Sequence, residues 1–159
     1  MKNIRKKFKN PRMSWDSDEI KDRKTVMSSY GLRRRREMLI AQEILRKYRR
    51  RARELIAEKD EEKVKVLLEK LVKLGLLREG EGLDDVLALG INDILERRLQ
   101  TIVWKRGLAT TPCQARQFIT HGHVSINGSR AKSPAYMVPV SEVAKIVVDK
   151  EVSGGGDGK

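Results

Sequence analysis

The apolar positions of the chain follow the helical rhythm for its first two thirds and then change to a shorter one. Over residues 34–59, Met38, Ala41, Leu45, Tyr48, Ala52, Leu55 and Ile56 recur mostly at steps of three and four. That spacing predicts the longest helix of the chain, with one apolar stripe along it. Ahead of it, Asp16 followed three residues later by Glu19 predicts a helix start, with Ile20, Met27 and Tyr30 as a thin apolar side and Gly31 as the break. Behind it, Asp60, Glu61 and Glu62 suit the positive end of another helix, whose stripe is Val64, Leu67, Leu68, Leu71 and Leu74 and whose stop is Gly75. Two such helices with a short loop between them are expected to pack antiparallel. Residues 78–82 read as a glycine-rich turn and 83–90 as a short helical turn. Asn92 is then expected to cap a helix carrying Leu95, Leu99, Ile102 and Val103 and ending at Gly107.

Past Gly107 the elements shorten. Thr111 can cap, Pro112 suits a first helical position and Gln114 can complete a capping box, so a short helix follows with Ala115, Phe118 and Ile119 inward and Gly122 at its end. Val124, Ser125 and Ile126 alternate as a strand does, and Asn127-Gly128 is the strongest short signal for a hairpin. Residues 136–138 and 144–149 read as two further extended runs. The fold class expected is α+β: a basic extended arm (1–15), a helical domain (16–96), a small helix-helix-hairpin module with a short antiparallel sheet (97–150) and a flexible glycine-rich tail (151–159).

Charge adds a layout to this pattern. Thirty-five Lys and Arg against 22 Asp and Glu leave +13 on 159 residues. Residues 1–53 hold 19 basic and 6 acidic side chains, residues 54–94 hold 6 and 11, and residues 95–132 hold 7 and 1. The chain therefore has two basic blocks with an acidic spacer between them, and a partner that is a polyanion, nucleic acid before a membrane surface, is expected. Arg46, Arg49, Arg50 and Arg53 repeat with the helical period beside the apolar stripe, at about 1.5 Å rise per residue. Arg33, Arg34, Arg35 and Arg36 stand where the long helix begins, against its macrodipole, a conflict that an external anion would remove.

Other chemistries find little support. No run of 18 apolar residues exists, and the charged N-terminus lacks the apolar stretch of a signal peptide, so a cytosolic protein without a membrane partner is expected. The single cysteine, Cys113, has no identifiable base near it and reads as a small buried or half-buried residue. His121 and His123 lack a third ligand and read as helix-end donors rather than a metal pair. Trp15 and Trp104 read as packing residues, and Asp84 and Asp85 as a helix start. No catalytic residue, metal or cofactor is expected.

Several strings with fixed spacing then add a resemblance. Arg98-Leu99-Gln100, Gly107-Leu108-Ala109-Thr110-Thr111, Ala115-Arg116-Gln117-Phe118-Ile119, His121-Gly122-His123-Val124-Ser125-Ile126-Asn127-Gly128 and Ser133-Pro134-Ala135-Tyr136 resemble the RNA-binding module named after the fourth protein of the small ribosomal subunit, over residues 97–145. Gln100 departs from it, since many members carry an acidic residue after Arg-Leu. Tyr30-Gly31-Leu32-Arg33, Arg51-Ala52-Arg53-Glu54-Leu55, Leu83-Asp84-Asp85-Val86-Leu87 and the run from Ile94 to Thr101 are similar to the archaeal and eukaryotic branch of that ribosomal protein family. The cysteine-ligated metal site of some bacterial members has no counterpart, because the N-terminal region has no cysteine.

The resemblance implies a non-enzymatic constituent of the small subunit that binds its ribosomal RNA early in assembly. It also implies neighbouring small-subunit proteins as partners, a place near the side where messenger RNA enters, and a link to translational accuracy. A free-standing RNA-binding recycling or stress factor with the same module is the competing expectation. The RNA-binding candidates are the arginines 33–36, 46, 49, 50 and 53 already named, and in the module Arg98, Lys105, Arg106, Thr111, Gln114, Arg116, Gln117, His121, Gly122, His123, Asn127, Arg130 and Lys132. Of the module residues Arg116 is the first choice for a phosphate contact.

Overall fold

The computed structural model describes residues 7–11, 13 and 15–149. The expected tail, and the arm up to residue 6 with Arg12 and Ser14, lie outside the described residues. Helix α1 spans Ser17–Ser29, where the Asp16 carboxylate accepts the Asp18 N–H and Tyr30 closes the last turn. Helix α2 spans Arg35–Glu58 and ends at Lys59, whose φ of 54° is left-handed. Met38, Ala41, Leu45, Ala52 and Leu55 of its stripe are buried, joined by Leu39. Ile56, placed in that stripe by the sequence, is 44% exposed. It falls one step past Leu55, where the helix has already turned its inner face away.

Helix α3, Glu61–Lys73, starts on the Asp60 side chain and carries Leu67 and Leu71 inward. Two short helices follow, α4 (Leu83–Ala88) and α5 (Ile91–Glu96), and α2 packs mainly against these two and to a lesser extent against α3. Asn92 does not cap α5. The start is at Gly90, whose N–H donates to the Asp93 carboxylate at 2.6 Å, the device that Asp85 repeats on Gly82 for α4.

The single helix expected from Asn92 to Gly107 is two. The chain leaves the helical path at Arg97 and Arg98, and α6 begins afresh at Leu99–Lys105. The break is held by backbone pairing that a helix could not make. Val138 N–H donates to Arg97 O at 3.0 Å, Leu99 N–H to Tyr136 O at 2.8 Å, and the buried Thr101 hydroxyl donates to the Leu95 carbonyl at 2.7 Å. Residues 136–138 thus form an isolated antiparallel bridge between Arg98 and Met137 rather than a strand of the sheet.

Helix α7, Pro112–His121, is capped by Thr111, whose hydroxyl accepts the Gln114 N–H at 3.1 Å. The Gln114 side chain reaches one residue further back than a capping box requires and accepts the Thr110 N–H at 2.7 Å. Strand β1 (Val124–Ile126) turns through Asn127 (φ 51°) and Gly128 (φ 78°) into β2 (Ser129–Arg130). Two positive φ values in a two-residue loop suit the right-handed twist of the strands it joins. A short helix, α8 (Val140–Val143), had no signal in the sequence and leads into β3 (Ile146–Val148). The sheet is antiparallel in the order β2-β1-β3.

Two apolar clusters divide the chain. One gathers Leu32, from the segment ahead of α2, with Met38, Leu45, Leu55, Leu71, Val86, Ile94 and Leu95 of α2 to α5. The other gathers Leu99, Val103, Phe118, Ile119, Val124, Ile126, Ile146 and Val148 from α6, α7 and the sheet. The break at Arg97 and Arg98 is where the chain passes from one to the other.

Candidate nucleic-acid interface

The site is built on the two basic blocks, and an acidic residue joins them. Glu37 sits in the first turn of α2 directly after the four arginines. Its carboxylate receives Arg98 Nη2 at 2.7 Å, Arg116 Nη1 at 3.0 Å and Arg116 Nη2 at 2.8 Å. Burial alone would push this carboxyl up, but the hydrogen bonds and charges of Arg116 and Arg98 outweigh it and hold Glu37 below the ordinary glutamate value. An acid in the first turn suits the positive end of the helix, but its carboxylate is taken up by Arg98 and Arg116 and not by the arginine run before it.

Gln100 completes the junction. Only 1% exposed, its amide nitrogen faces Tyr30 O at 3.2 Å, Gly31 O at 3.0 Å and Pro112 O at 3.0 Å, while its oxygen faces Arg116 Nη1 at 3.4 Å. A carboxylate in that place would set negative oxygen against three carbonyls. The position holds an amide, and the negative charge at the junction is that of Glu37.

Three of the expected RNA-binding residues are engaged within the chain. Arg98 is 4% exposed and pairs with Glu37 at 2.7 Å. Arg116, the first choice for phosphate, is occupied by Glu37 on both terminal nitrogens and ties α7 to α2. Gly122 is buried, and its φ of 85° serves the end of α7.

Arg46, Arg49, Arg50 and Arg53 do share one concavity of about 730 Å³, shared also with Lys9, Asn10 and Pro11 of the N-terminal segment. They differ in freedom. Arg49 donates to the Leu89 carbonyl and fastens α2 to the α4–α5 turn. Arg46 pairs with Glu43 at 2.8 Å and Arg50 with Glu54 at 2.9 Å, both on the exposed side of the helix, and Arg53 is exposed. Surface pairs of this kind exchange readily for another anion. At the helix start Arg33, Arg34 and Arg36 are exposed, Arg36 lying 5.6 Å over the Phe8 ring, whereas Arg35 is half-buried.

In the second block, Gln117, His121, Asn127, Arg130 and Lys132 are exposed along α7 and the hairpin. The His121 and His123 rings stand nearly parallel, centroids 6.2 Å apart, with His123 Nδ1 3.8 Å from the Asp149 carboxylate. Lys105 pairs with Glu96 at 2.8 Å, and Arg106 donates to the Val143 carbonyl. Thr111 Oγ1 and Gln114 Oε1 accept hydrogen bonds at the start of α7. Two further expectations fail: Cys113 is exposed and Trp15 is 91% exposed, while Trp104 packs against the second apolar cluster. No metal-ligating cluster is present among the described residues.

Sequence reasoning does not single out Glu37 and assigns Gln100 too small a part. A lone acid after four arginines is a visible signal in the sequence, and so is the amide where an acid is usual.

Two helices against a three-stranded antiparallel sheet, with exposed polar side chains along α7 and the cations Arg130 and Lys132 at the hairpin, define a domain of the S4 class, and the S4 domain family matches residues 97–143. The similarity extends well beyond that domain. Small ribosomal subunit protein uS4 of Ignicoccus hospitalis is 50% identical over 84% of this chain and 82% of its own length. The uS4 of Saccharolobus islandicus is 49% identical over 89% and 80%, and that of Halobacterium salinarum 43% over 90% and 84%. The chain belongs to the uS4 family of small ribosomal subunit proteins.

Proposed function

We propose that the chain is a structural constituent of the small ribosomal subunit that binds small-subunit ribosomal RNA and performs no catalysis of its own. The observation that carries this reading is the joining of two cationic surfaces across one internal acid: Glu37 holds α2, with its exposed arginines, against α7, beside which the hairpin presents Arg130 and Lys132. Structured RNA is recognised mainly through shape, phosphate and 2′-hydroxyl contacts, and two rigidly spaced cationic surfaces suit that target better than one flexible patch does. Early binding during assembly, contacts to neighbouring small-subunit proteins and a place near the incoming messenger RNA belong to the same reading. So does a ribosome-bound, cytoplasmic location.

Salt dependence tests the electrostatic part. Affinity for small-subunit ribosomal RNA is expected to fall by about 10³ between 50 and 200 mM salt if some six phosphates are neutralised. An affinity that barely moves over that range overturns the reading. Replacing Arg46, Arg50 and Arg53 by glutamine is expected to flatten the log–log slope by about 0.9 for each phosphate no longer neutralised, while leaving thermal unfolding unchanged. Arg49 is kept, because its bond to Leu89 O is structural. Stoichiometric co-sedimentation with small-subunit particles after a moderate-salt wash separates a constituent from a transient factor.

A further inference from the structure

A recess of about 380 Å³ opens beside the hairpin, between the β1–β2 turn and residues 133–142. Its lining combines three chemistries that the α7 surface does not bring together: the Tyr136 ring, the Glu142 carboxylate and the cations Arg130 and Lys132, with Asn127 at the rim. Tyr136 is 40% exposed, so part of its ring is open to the recess. Its hydroxyl donates to Glu142 Oε2 at 2.9 Å, so one edge of the ring is fixed. Its backbone is fixed as well, by Leu99 N–H on Tyr136 O at 2.8 Å and by Tyr136 N–H on Ser133 O at 3.2 Å. Glu142 forms no ion pair among the described residues, although two cations line the same recess.

We propose that this recess holds one unpaired nucleobase of the bound RNA, stacked on Tyr136 with its N–H donors on Glu142 and its phosphate beside Arg130 and Lys132. The inference rests on the reading of the chain as an RNA binder and adds a base-reading subsite to it. The volume lies within the range of small-ligand sites. A free anion would use the cations but be repelled by Glu142, and an apolar side chain would use the ring and leave both charges unserved. A nucleotide has a part for each. Guanine fits best, because its Watson–Crick edge offers two adjacent donors to a carboxylate. A base stacked on a ring already held in place gives up little freedom beyond its own.

The test has two arms. In the first, the full chain and its Tyr136→Leu, Tyr136→Phe and Glu142→Gln variants are titrated with small-subunit ribosomal RNA at several salt concentrations. Loss of one stacked base is expected to weaken binding about tenfold for Tyr136→Leu. The salt slope should not change, since stacking releases no counterions, and Tyr136→Phe should bind close to wild type. Unchanged affinity of Tyr136→Leu at every salt concentration overturns the proposal and leaves the ribosomal reading intact. In the second arm, backbone amide shifts of residues 126–136 are followed with guanosine, adenosine and uridine 5′-monophosphate and with inorganic phosphate. Guanosine monophosphate is expected to move them most, and Glu142→Gln to remove its advantage over adenosine monophosphate. Equal shifts with phosphate alone overturn the subsite. This arm stands even if the ribosomal RNA titration fails for the wild type, which would count against the functional reading.

Discussion

Glu37→Gln is expected to destabilise the protein, by less than the roughly 3–5 kcal/mol lost when a fully buried ion pair is broken from one side, because Glu37 and Arg116 are only part-buried. Arg98 and Arg116 have side chains only 5% and 22% exposed, and with Glu37 gone both would carry uncompensated positive charge next to an amide. The loss has a pH signature. The folded-state carboxyl of Glu37 is held below its ordinary value, so its contribution is fully present above the unfolded glutamate range of about 4.3 and disappears as pH falls through the lower folded value. Thermal unfolding of wild type and variant from pH 7 down to pH 3 should therefore show two melting temperatures that converge at the acidic end. A gap that stays constant with pH would mean that the loss comes from packing around α2 and not from the charge. Glu37→Asp keeps the charge but shortens the reach, and should fall between the two.

The same residue explains what could be read from the sequence and what could not. Periodicity located α2 and α3, whose stripes are long enough to show the helical step, and start signals located α1 and α7, at Asp16 and Thr111. The Asn127-Gly128 hairpin was legible because two residues with positive φ leave few alternatives. The break at Arg98 was not, since Leu95, Leu99 and Ile102 keep a helical spacing right across it. Its cause is a backbone pairing with Tyr136 and Val138 some forty residues ahead. The candidate RNA-binding residues divide in the same way. Exposure and charge on a regular helix face were readable for Arg46, Arg50 and Arg53. That Arg98 and Arg116 turn inward depends on an acid sixty to eighty positions away, and no local pattern carries that.

Gly31→Ala is expected to be nearly as damaging, at the point where α1 meets the second apolar cluster's helices. Gly31 has φ +60°, and a Cβ built there would stand 2.7 Å from Pro112 Cβ, 3.0 Å from Gln100 Nε2 and 3.2 Å from the Pro112 carbonyl carbon. Two effects add. The left-handed backbone costs a non-glycine residue about 1–2 kcal/mol, and forcing a methyl into a filled space costs about 1–3 kcal/mol more. The obstacles cannot easily move. Pro112 is the rigid first residue of α7, and the Gln100 amide is engaged with the carbonyls of Tyr30, Gly31 and Pro112. Gly80→Ala separates the two effects, because Gly80 has φ +94° and nothing within 4 Å of its added Cβ. It should show the backbone cost alone, about 1–2 kcal/mol. Denaturant unfolding of both variants gives the comparison directly. If Gly31→Ala loses no more than Gly80→Ala, the junction of residues 30–31, Gln100 and α7 yields easily, and the two basic surfaces are not rigidly coupled through it.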